Sequence, residues 1–373
     1  MNLKSLLMSE DEKTVRILRR VLGDLEIDVE HCGNVTEAIR HITRQRFEAI
    51  IVDVSNIEEA SSVLRGAKAA PVNKRALGIV LVEASLGLKG GFEMGAHFVL
   101  HKPFAVERAK ASFRAVRALM RRERRLQLRV PVQFPIECYG SSRYKAKTID
   151  VCEGGMAIQF SGRVPKENVL RFSFELPGTK QALEIYGELA WEGADEQAGV
   201  RFKDPSDEQR KNLQEWVSRQ LSEPEPEDPP ISCRLSKLSH GGCYLTTSSP
   251  FPRGTRVLLS IKAAGAETRA GGMVLVAHPE FGMGVEFLRN TAEQREQTER
   301  MIKALSAGGD PAIEVQVVPE GLETLQAPGI QAAANVASGS DLLVDLFRHK
   351  FQVPVESFMK QMQAQGKSSP ART

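Results

Sequence analysis

Asp150-Val-Cys-Glu-Gly-Gly155-Met-Ala-Ile, Ala198-Gly-Val-Arg-Phe202 and Glu208-Gln-Arg210 recur in the same order as Lys237-Leu-Ser-His-Gly-Gly242-Cys-Tyr-Leu, Met283-Gly-Val-Glu-Phe287 and Glu293-Gln-Arg295. Matching landmarks lie 85 to 87 residues apart, too long a period for a solenoid and the right size for a small domain duplicated in tandem. Within a copy the apolar runs are short and rich in β-branched residues, as in Val130–Cys138, Ala146–Val151, Val169–Phe174 and Leu183–Trp191, and a single amphipathic helix follows. That pattern predicts a small antiparallel β-barrel with a terminal helix, twice over, at 119–221 and 231–306. The stretch 222–230, Ser222-Glu-Pro-Glu-Pro-Glu-Asp-Pro-Pro230, separates the copies as an extended linker, because its prolines and like charges resist packing.

Working outward, the first 118 residues have another rhythm. Apolar runs Leu3–Met8, Ala49–Val54, Leu77–Val82 and Phe98–Leu100 alternate with helical patterns such as Thr14–Leu25 and Thr36–Arg46, the signature of an α/β doubly wound parallel sheet. In such sheets functional groups gather at the carboxyl ends of the strands, where Glu10, Asp11 and Asp53 fall. Beyond the second copy, 307–340 reads as a linker. The segment 341–363 then spaces Leu342, Leu343, Leu346, Phe347, Phe351, Val355, Phe358 and Met359 as an amphipathic helical tail interrupted by Pro354. A stripe so apolar must dock, on its own chain, on a partner protein or on a membrane surface.

Composition narrows the function classes. The 373 residues carry a net charge of only +3, with 42% hydrophobic and 26% charged residues, so a multidomain globular protein is expected and a nucleic-acid coat is not. The basic run Arg114–Arg129 therefore reads as a local feature. No stretch approaches the roughly 20 apolar residues of a membrane span, and the acidic Glu10-Asp-Glu12 arrives before a signal-peptide core could form, so a cytoplasmic location is expected. Five scattered cysteines, Cys32, Cys138, Cys152, Cys233 and Cys243, suggest neither disulfides nor a zinc site. No nucleophile motif or phosphate loop is visible, and the histidines show no catalytic spacing, so an enzyme is not expected.

The order Leu6-Leu-Met-Ser-Glu-Asp11, Phe47-Glu-Ala-Ile-Ile-Val-Asp53 and Gly95-Ala-His-Phe-Val-Leu-His-Lys-Pro-Phe104 resembles the receiver domain of two-component response regulators. The resemblance implies an acidic pocket of Glu10, Asp11 and Asp53 able to hold Mg²⁺, Asp53 as candidate phosphoacceptor, and Lys102 neutralising the product. Two positions depart from the family. Glu83 stands where a Thr or Ser normally bonds the phosphoryl group, with Ser85 two residues on, and Val99 replaces the aromatic switch residue. A carboxylate beside an incoming phosphoryl dianion repels it, so a pseudo-receiver is the favoured reading.

Arg125-Leu-Gln-Leu-Arg129 followed by Asp150-Val-Cys-Glu-Gly-Gly155 resembles the Arg-x-x-x-Arg and Asp/Asn-x-Ser-x-x-Gly motifs of PilZ domains, which bind the bacterial second messenger cyclic di-GMP. The resemblance implies Arg125, Arg129, Asp150, Cys152 and Gly155 as ligand residues, with Arg121 and Arg124 in support. Guanidinium groups pair with guanine edges and phosphates, a carboxylate accepts from guanine donors, and glycine allows close backbone approach. Cys152 occupies the Ser slot, and a thiol hydrogen-bonds more weakly than a hydroxyl. The second copy has Lys237 in the Asp position and lacks the arginine pair, which makes it a structural or interaction surface. The whole is expected to be a signalling adaptor that binds cyclic di-GMP through its first barrel, changes its interdomain arrangement, and reaches a downstream protein through the second barrel or the tail. The alternative is a phosphorylation-driven response regulator, part of a phosphorelay, whose barrels are scaffolds without nucleotide.

Overall fold

The computed structural model describes residues 2–54, 56–83, 90–92, 94–179, 182–221, 227–263, 266–279, 281–307, 314–322, 341–349 and 355–364. Ser85, Phe351, Pro354 and most of both expected linkers lie outside the described residues. The chain divides into two compact units, one of Met1–Arg122 with Asp228–Thr373 and the other of Glu123–Glu227.

In the first unit, β1 (Leu3–Met8), β2 (Ile27–Cys32), β3 (Ala49–Asp53), β4 (Leu77–Glu83) and β5 (Phe98–Lys102) form a parallel sheet in the order β2-β1-β3-β4-β5. All five residues of β3 are buried, as expected of a central parallel strand covered on both faces. Helix α1 (Glu12–Gly23) starts where the Asp11 carboxylate accepts the Lys13 and Thr14 N–H groups, and it buries Val15, Leu18 and Leu22 along one face. Helices α2 (Val35–Arg44) and α3 (Ile57–Ala69) open in the same way on Asn34 and Asn56. Helix α4 (Val106–Arg125) ends this domain.

The Glu123–Glu227 unit is the first barrel. Its strands are β6 (Val130–Pro131), β7 (Pro135–Tyr139), β8 (Arg143–Cys152), β9 (Gly155–Phe160), β10 (Val169–Glu175), β11 (Ala182–Glu192) and β12 (Gln197–Lys203). The order is β6-β8-β7-β10-β11-β12-β9, and β9 pairs back onto β8, closing six strands with β6 outside. Alternation puts Leu170, Phe172 and Phe174 inward from β10. Helix α5 (Asp207–Gln220) opens on a Ser206/Gln209 capping box and seals the barrel with Leu213, Trp216 and Val217.

The second barrel contains β13 (Ile231–Leu238), β14 (Gly242–Thr246), β15 (Thr255–Ala263), β16 (Ala266–His278) and β17 (Gly282–Phe287), followed by helix α6 (Ala292–Ala307). It closes through β18 (Glu314–Leu322), in the order β13-β14-β17-β16-β15-β18. This corrects the reading of 307–340 as linker: 314–322 is a strand, with Val315 and Val317 buried in the barrel. In the first barrel the seat between β8 and β10 is held by β7, which precedes them in the chain. In the second the matching seat, between β13 and β15, is held by β18, which follows them. The duplicate is thus circularly permuted, its first strand supplied from the far side of its helix.

The receiver-like domain and the second barrel share one unit and one apolar cluster, in which Phe113, Val116 and Leu119 of α4 join Phe251, Met283 and Met301. Ser249 Oγ also donates to the Ala111 carbonyl at 2.6 Å. The tail forms α7 (Leu342–His349) and α8 (Val355–Ala364), which dock on this barrel through Leu343, Leu346, Phe347, Phe358 and Met362.

Candidate functional site

At the carboxyl ends of β1, β3 and β5, Asp53 is buried. Its Oδ2 accepts from Ser9 Oγ at 2.8 Å and its Oδ1 lies 2.7 Å from Lys102 Nζ. Glu83, directly opposite Lys102 in the β4/β5 register, reaches the same ammonium at 3.3 Å. Burial works to lower the Lys102 pKa, but the hydrogen bonds and charges of Asp53 and then Glu83 outweigh it and hold the ammonium above the ordinary lysine value. Asp11 is employed elsewhere. Its side chain accepts from Thr14 Oγ1 at 2.6 Å and from the Lys13 and Thr14 N–H groups, and those bonds, the Thr14 hydroxyl first, keep its pKa below the usual carboxylate value. Glu10 is exposed. Among the described residues no group of three or more acids, histidines or cysteines converges to hold a metal. Val99 is buried where the family carries its aromatic switch.

The second candidate site lies in the first barrel, where β8 turns into β9. Arg125 ends α4, the chain reverses through the Leu128 N–H bonds to the Arg124 and Arg125 carbonyls, and Val130 pairs with Val151. The segment between the arginines lies against the glycine turn: a Cβ at Gly154 would stand 3.2 Å from the Leu126 carbonyl oxygen. Arg129 Nη1 donates to Asp150 Oδ1 at 2.5 Å, and the same oxygen accepts the Ala157 N–H at 3.2 Å. Arg129 is 43% exposed, so the pair is formed yet open to solvent. Gly155 is obligatory, because a Cβ there would fall 2.0 Å from the Val200 carbonyl oxygen. Cys152 is buried, burial raises its thiol pKa, and Sγ donates to the Gly155 carbonyl at 3.2 Å. Its sulfur therefore closes the turn from inside.

Arg124 is buried, and Arg121 is committed to Asp228 at 3.1 Å and Glu26 at 3.2 Å. Two residues that motif reading passed over belong to the site by register. Asp150, Ala157, Gly199 and Trp191 stand opposite one another across four neighbouring strands, which places them on one outer row. Trp191 is 45% exposed, and its indole covers Gly199, where a Cβ would lie 2.0 Å from Nε1. Arg201 pairs with Gly155 on the same side and is exposed. A half-exposed tryptophan in an alternating strand is the signal that marks this face.

The fold and this turn define a protein built of a doubly wound α/β domain joined to two small barrels, one of which carries a polar glycine-turn site. Residues 121–219 and 221–304 each match the family described as PilZ domain, so the barrels are tandem PilZ domains. The second match stops short of β18, the strand that completes the barrel. Solved structures similar to the N-terminal domain include the receiver domain of the sensor histidine kinase PA1611 from Pseudomonas aeruginosa, with a magnesium ion in its active-site cleft (23% identity, 30% of this chain and 93% of that one, TM-score 0.26). The chemotaxis response regulator CheY4 of Vibrio cholerae (22% identity, 29% and 92%, TM-score 0.26) is another. A third is a response regulator from Thermotoga maritima (19% identity, 32% and 99%, TM-score 0.29). No curated protein matches the chain. No helix among the described residues is long and apolar enough to cross a membrane.

Proposed function

We propose that this protein is a non-enzymatic cytoplasmic signalling adaptor that binds cyclic di-GMP at the β8/β9 turn of its first PilZ domain. The observation that carries the reading is the preformed Arg129–Asp150 pair on a turn that only glycine can close, with the Arg125–Arg129 segment laid against it. Asp150 accepts from guanine N1 and N2, the arginines take guanine edges and phosphates, and the exposed Trp191 face offers a stacking surface. Cys152 serves the turn, not the ligand. The receiver-like domain works without phosphoryl transfer, since Asp53 is already held by Lys102 and Ser9. Gripping the nucleotide fixes the joining segment, and through it the ligand biases the interdomain arrangement. The downstream recipient is a protein.

Calorimetric titration with cyclic di-GMP tests the site. Arg125→Ala or Arg129→Ala should each remove a charge-assisted contact of about 1.5–3 kcal/mol, one to two decades of affinity. Lys237→Ala in the second copy should change nothing. Hydrogen exchange on the bound chain should show protection over 123–132 and 150–155. Unaltered affinity in both arginine variants would overturn the assignment.

A further inference from the structure

The permuted duplicate allows the two barrel faces to be compared position by position. The outer row Asp150, Ala157, Gly199, Trp191 of the first barrel corresponds in register to Lys237, Tyr244, Gly284, Val276 of the second. In the first row Asp150 is half-buried and Trp191 is 45% exposed, with Ala157 and Gly199 buried between them and no helix among the described residues laid over the indole. In the second, Tyr244 and Val276 are 0% exposed, because the tail helices cover them. Phe347 lies on Gly284, where a Cβ would come within 2.8 Å of its ring. The Phe358 ring centroid stands 5.7 Å from Tyr244 and 4.5 Å from His278. Polar anchors fix the register of the tail. Asp341 Oδ2 accepts the Gly241 N–H at 2.7 Å, while its Oδ1 accepts the Leu343 and Val344 N–H groups and so caps α7. Arg348 pairs with Glu286, the position that is Arg201 in the first barrel, so the charge at that position is inverted between the two faces, as it is between Asp150 and Lys237.

The tail is an addition to a barrel that is complete without it. The six strands close on themselves through β18, and the barrel interior and the tail contacts are separate apolar clusters. We propose that the second barrel is a helix-binding module whose resident ligand is the helix pair α7 and α8: the face equivalent to the candidate nucleotide face has become a receptor for two short amphipathic helices that together bring an Asp cap, two phenylalanines and an arginine. The inference stands on register and contacts, and it holds whether or not the first barrel takes nucleotide.

A labelled peptide of residues 341–364 is titrated against the full chain carrying Phe347→Asp and Phe358→Asp, which disable the resident tail. Saturable binding is expected, at least roughly tenfold tighter than to the unaltered chain, whose face is filled. The peptide bearing Arg348→Glu should bind that chain about tenfold more weakly and recover when the chain also carries Glu286→Arg. If the double phenylalanine chain does not fold by circular dichroism, the chain with Arg348→Glu alone takes its place in the same titration. Absence of saturable binding to a folded variant, equal binding to the unaltered chain, or no recovery in the charge exchange overturns the proposal. Failure of both variants to fold also overturns it, since the tail would then be core and not ligand.

Discussion

Cys152 and Ser239 occupy the same seat in two duplicated turns, and their contacts show what that seat is for. Ser239 Oγ donates to the Gly242 carbonyl and accepts the Gly242 N–H, both at 3.1 Å, in a barrel that has neither the aspartate nor the arginine pair. The Cys152 thiol makes the equivalent bond to Gly155. The serine of the motif is thus a turn-former, and a sulfur in its place need not weaken the ligand site. Cys152→Ser is accordingly expected to leave cyclic di-GMP affinity within about threefold and stability within ~1 kcal/mol, a neutral hydrogen bond exchanged for another. Gly155→Ala should abolish folding of the barrel or cost several kcal/mol, on the order of the largest single-residue effects, because the new methyl meets backbone. Thermal melts and calorimetry on the two variants separate these outcomes, and a large affinity change in the serine variant would mean that the thiol faces the ligand. In the receiver-like domain the residue scale argues against capture of a phosphoryl group. Lys102 already sits between Asp53 and Glu83, and Glu83 presents charge where a hydroxyl is needed. Small phosphodonors with Mg²⁺ should produce no mass increment at Asp53; an increment that Asp53→Asn removes would restore the phosphorylation-driven reading.

At the scale of elements, the exchange of β7 for β18 explains why the second copy lost its ligand arginines. In the first barrel the segment carrying Arg125 and Arg129 leads into β6 and β7; in the second, β13 is the first strand of the copy among the described residues, so no counterpart of β6 and β7 precedes it to bring arginines to its turn. The strand that fills the seat is essential to closure, and Val317 faces the shared core at 0% exposure. Val317→Asp should therefore destabilise the unit containing it by at least about 3 kcal/mol, as an unpaired buried carboxylate does, while nucleotide affinity of the first barrel stays unchanged. Urea unfolding with parallel calorimetry reads both, and a coupled loss of affinity would contradict the two-unit division. The same comparison shows what is legible in sequence. The duplication, the parallel sheet and the turn residues are carried by local pattern: periodicity, glycine spacing, strand-end acids. The seat of β18 is not, because strand pairing is non-local and the alternation at Val315 and Val317 lies past the end of the repeat. Nor does a basic run name its partners. Arg121 looks like a ligand residue from its neighbours but is claimed by Asp228, which lies more than a hundred positions away and is close only after folding. The tail's amphipathic stripe announces docking without stating where, since the receptor face exists only once four strands have been brought side by side.

At the scale of the whole molecule, the two units carry different titratable chemistry, and this separates their responses to acid. All seven histidines lie outside Glu123–Glu227, whereas both tryptophans, Trp191 and Trp216, lie inside it. Of these histidines, His278 is buried and His97 half-buried in the other unit, where desolvation lowers each to about 4 from the ordinary 6.5. A lowered histidine pKa means the unfolded chain binds the proton first. The associated stability is complete above pH 6.5 and is lost as pH falls through 6.5 toward 4, at ~1.4 kcal/mol per pH unit for each group. Glu286, raised above the usual carboxylate value chiefly by burial, takes up its proton early in the folded state and opposes this loss toward the lower end of the window. In the first-barrel unit the resolved carboxylate shifts, at Glu137 and Glu167, are downward, so their contribution is lost only below the unfolded value of 4.5. Between pH 6.5 and 5, then, the receiver and second-barrel unit should lose on the order of 3–4 kcal/mol while the first barrel holds. Thermal unfolding followed at once by tryptophan fluorescence and far-ultraviolet circular dichroism should show the fluorescence midpoint fixed over that interval and the dichroism transition splitting as its lower part moves down. His278→Gln should remove about half of the movement. Parallel descent of both signals would mean that the units unfold as one, and a dichroism midpoint that does not move would mean that neither histidine is held neutral by the fold.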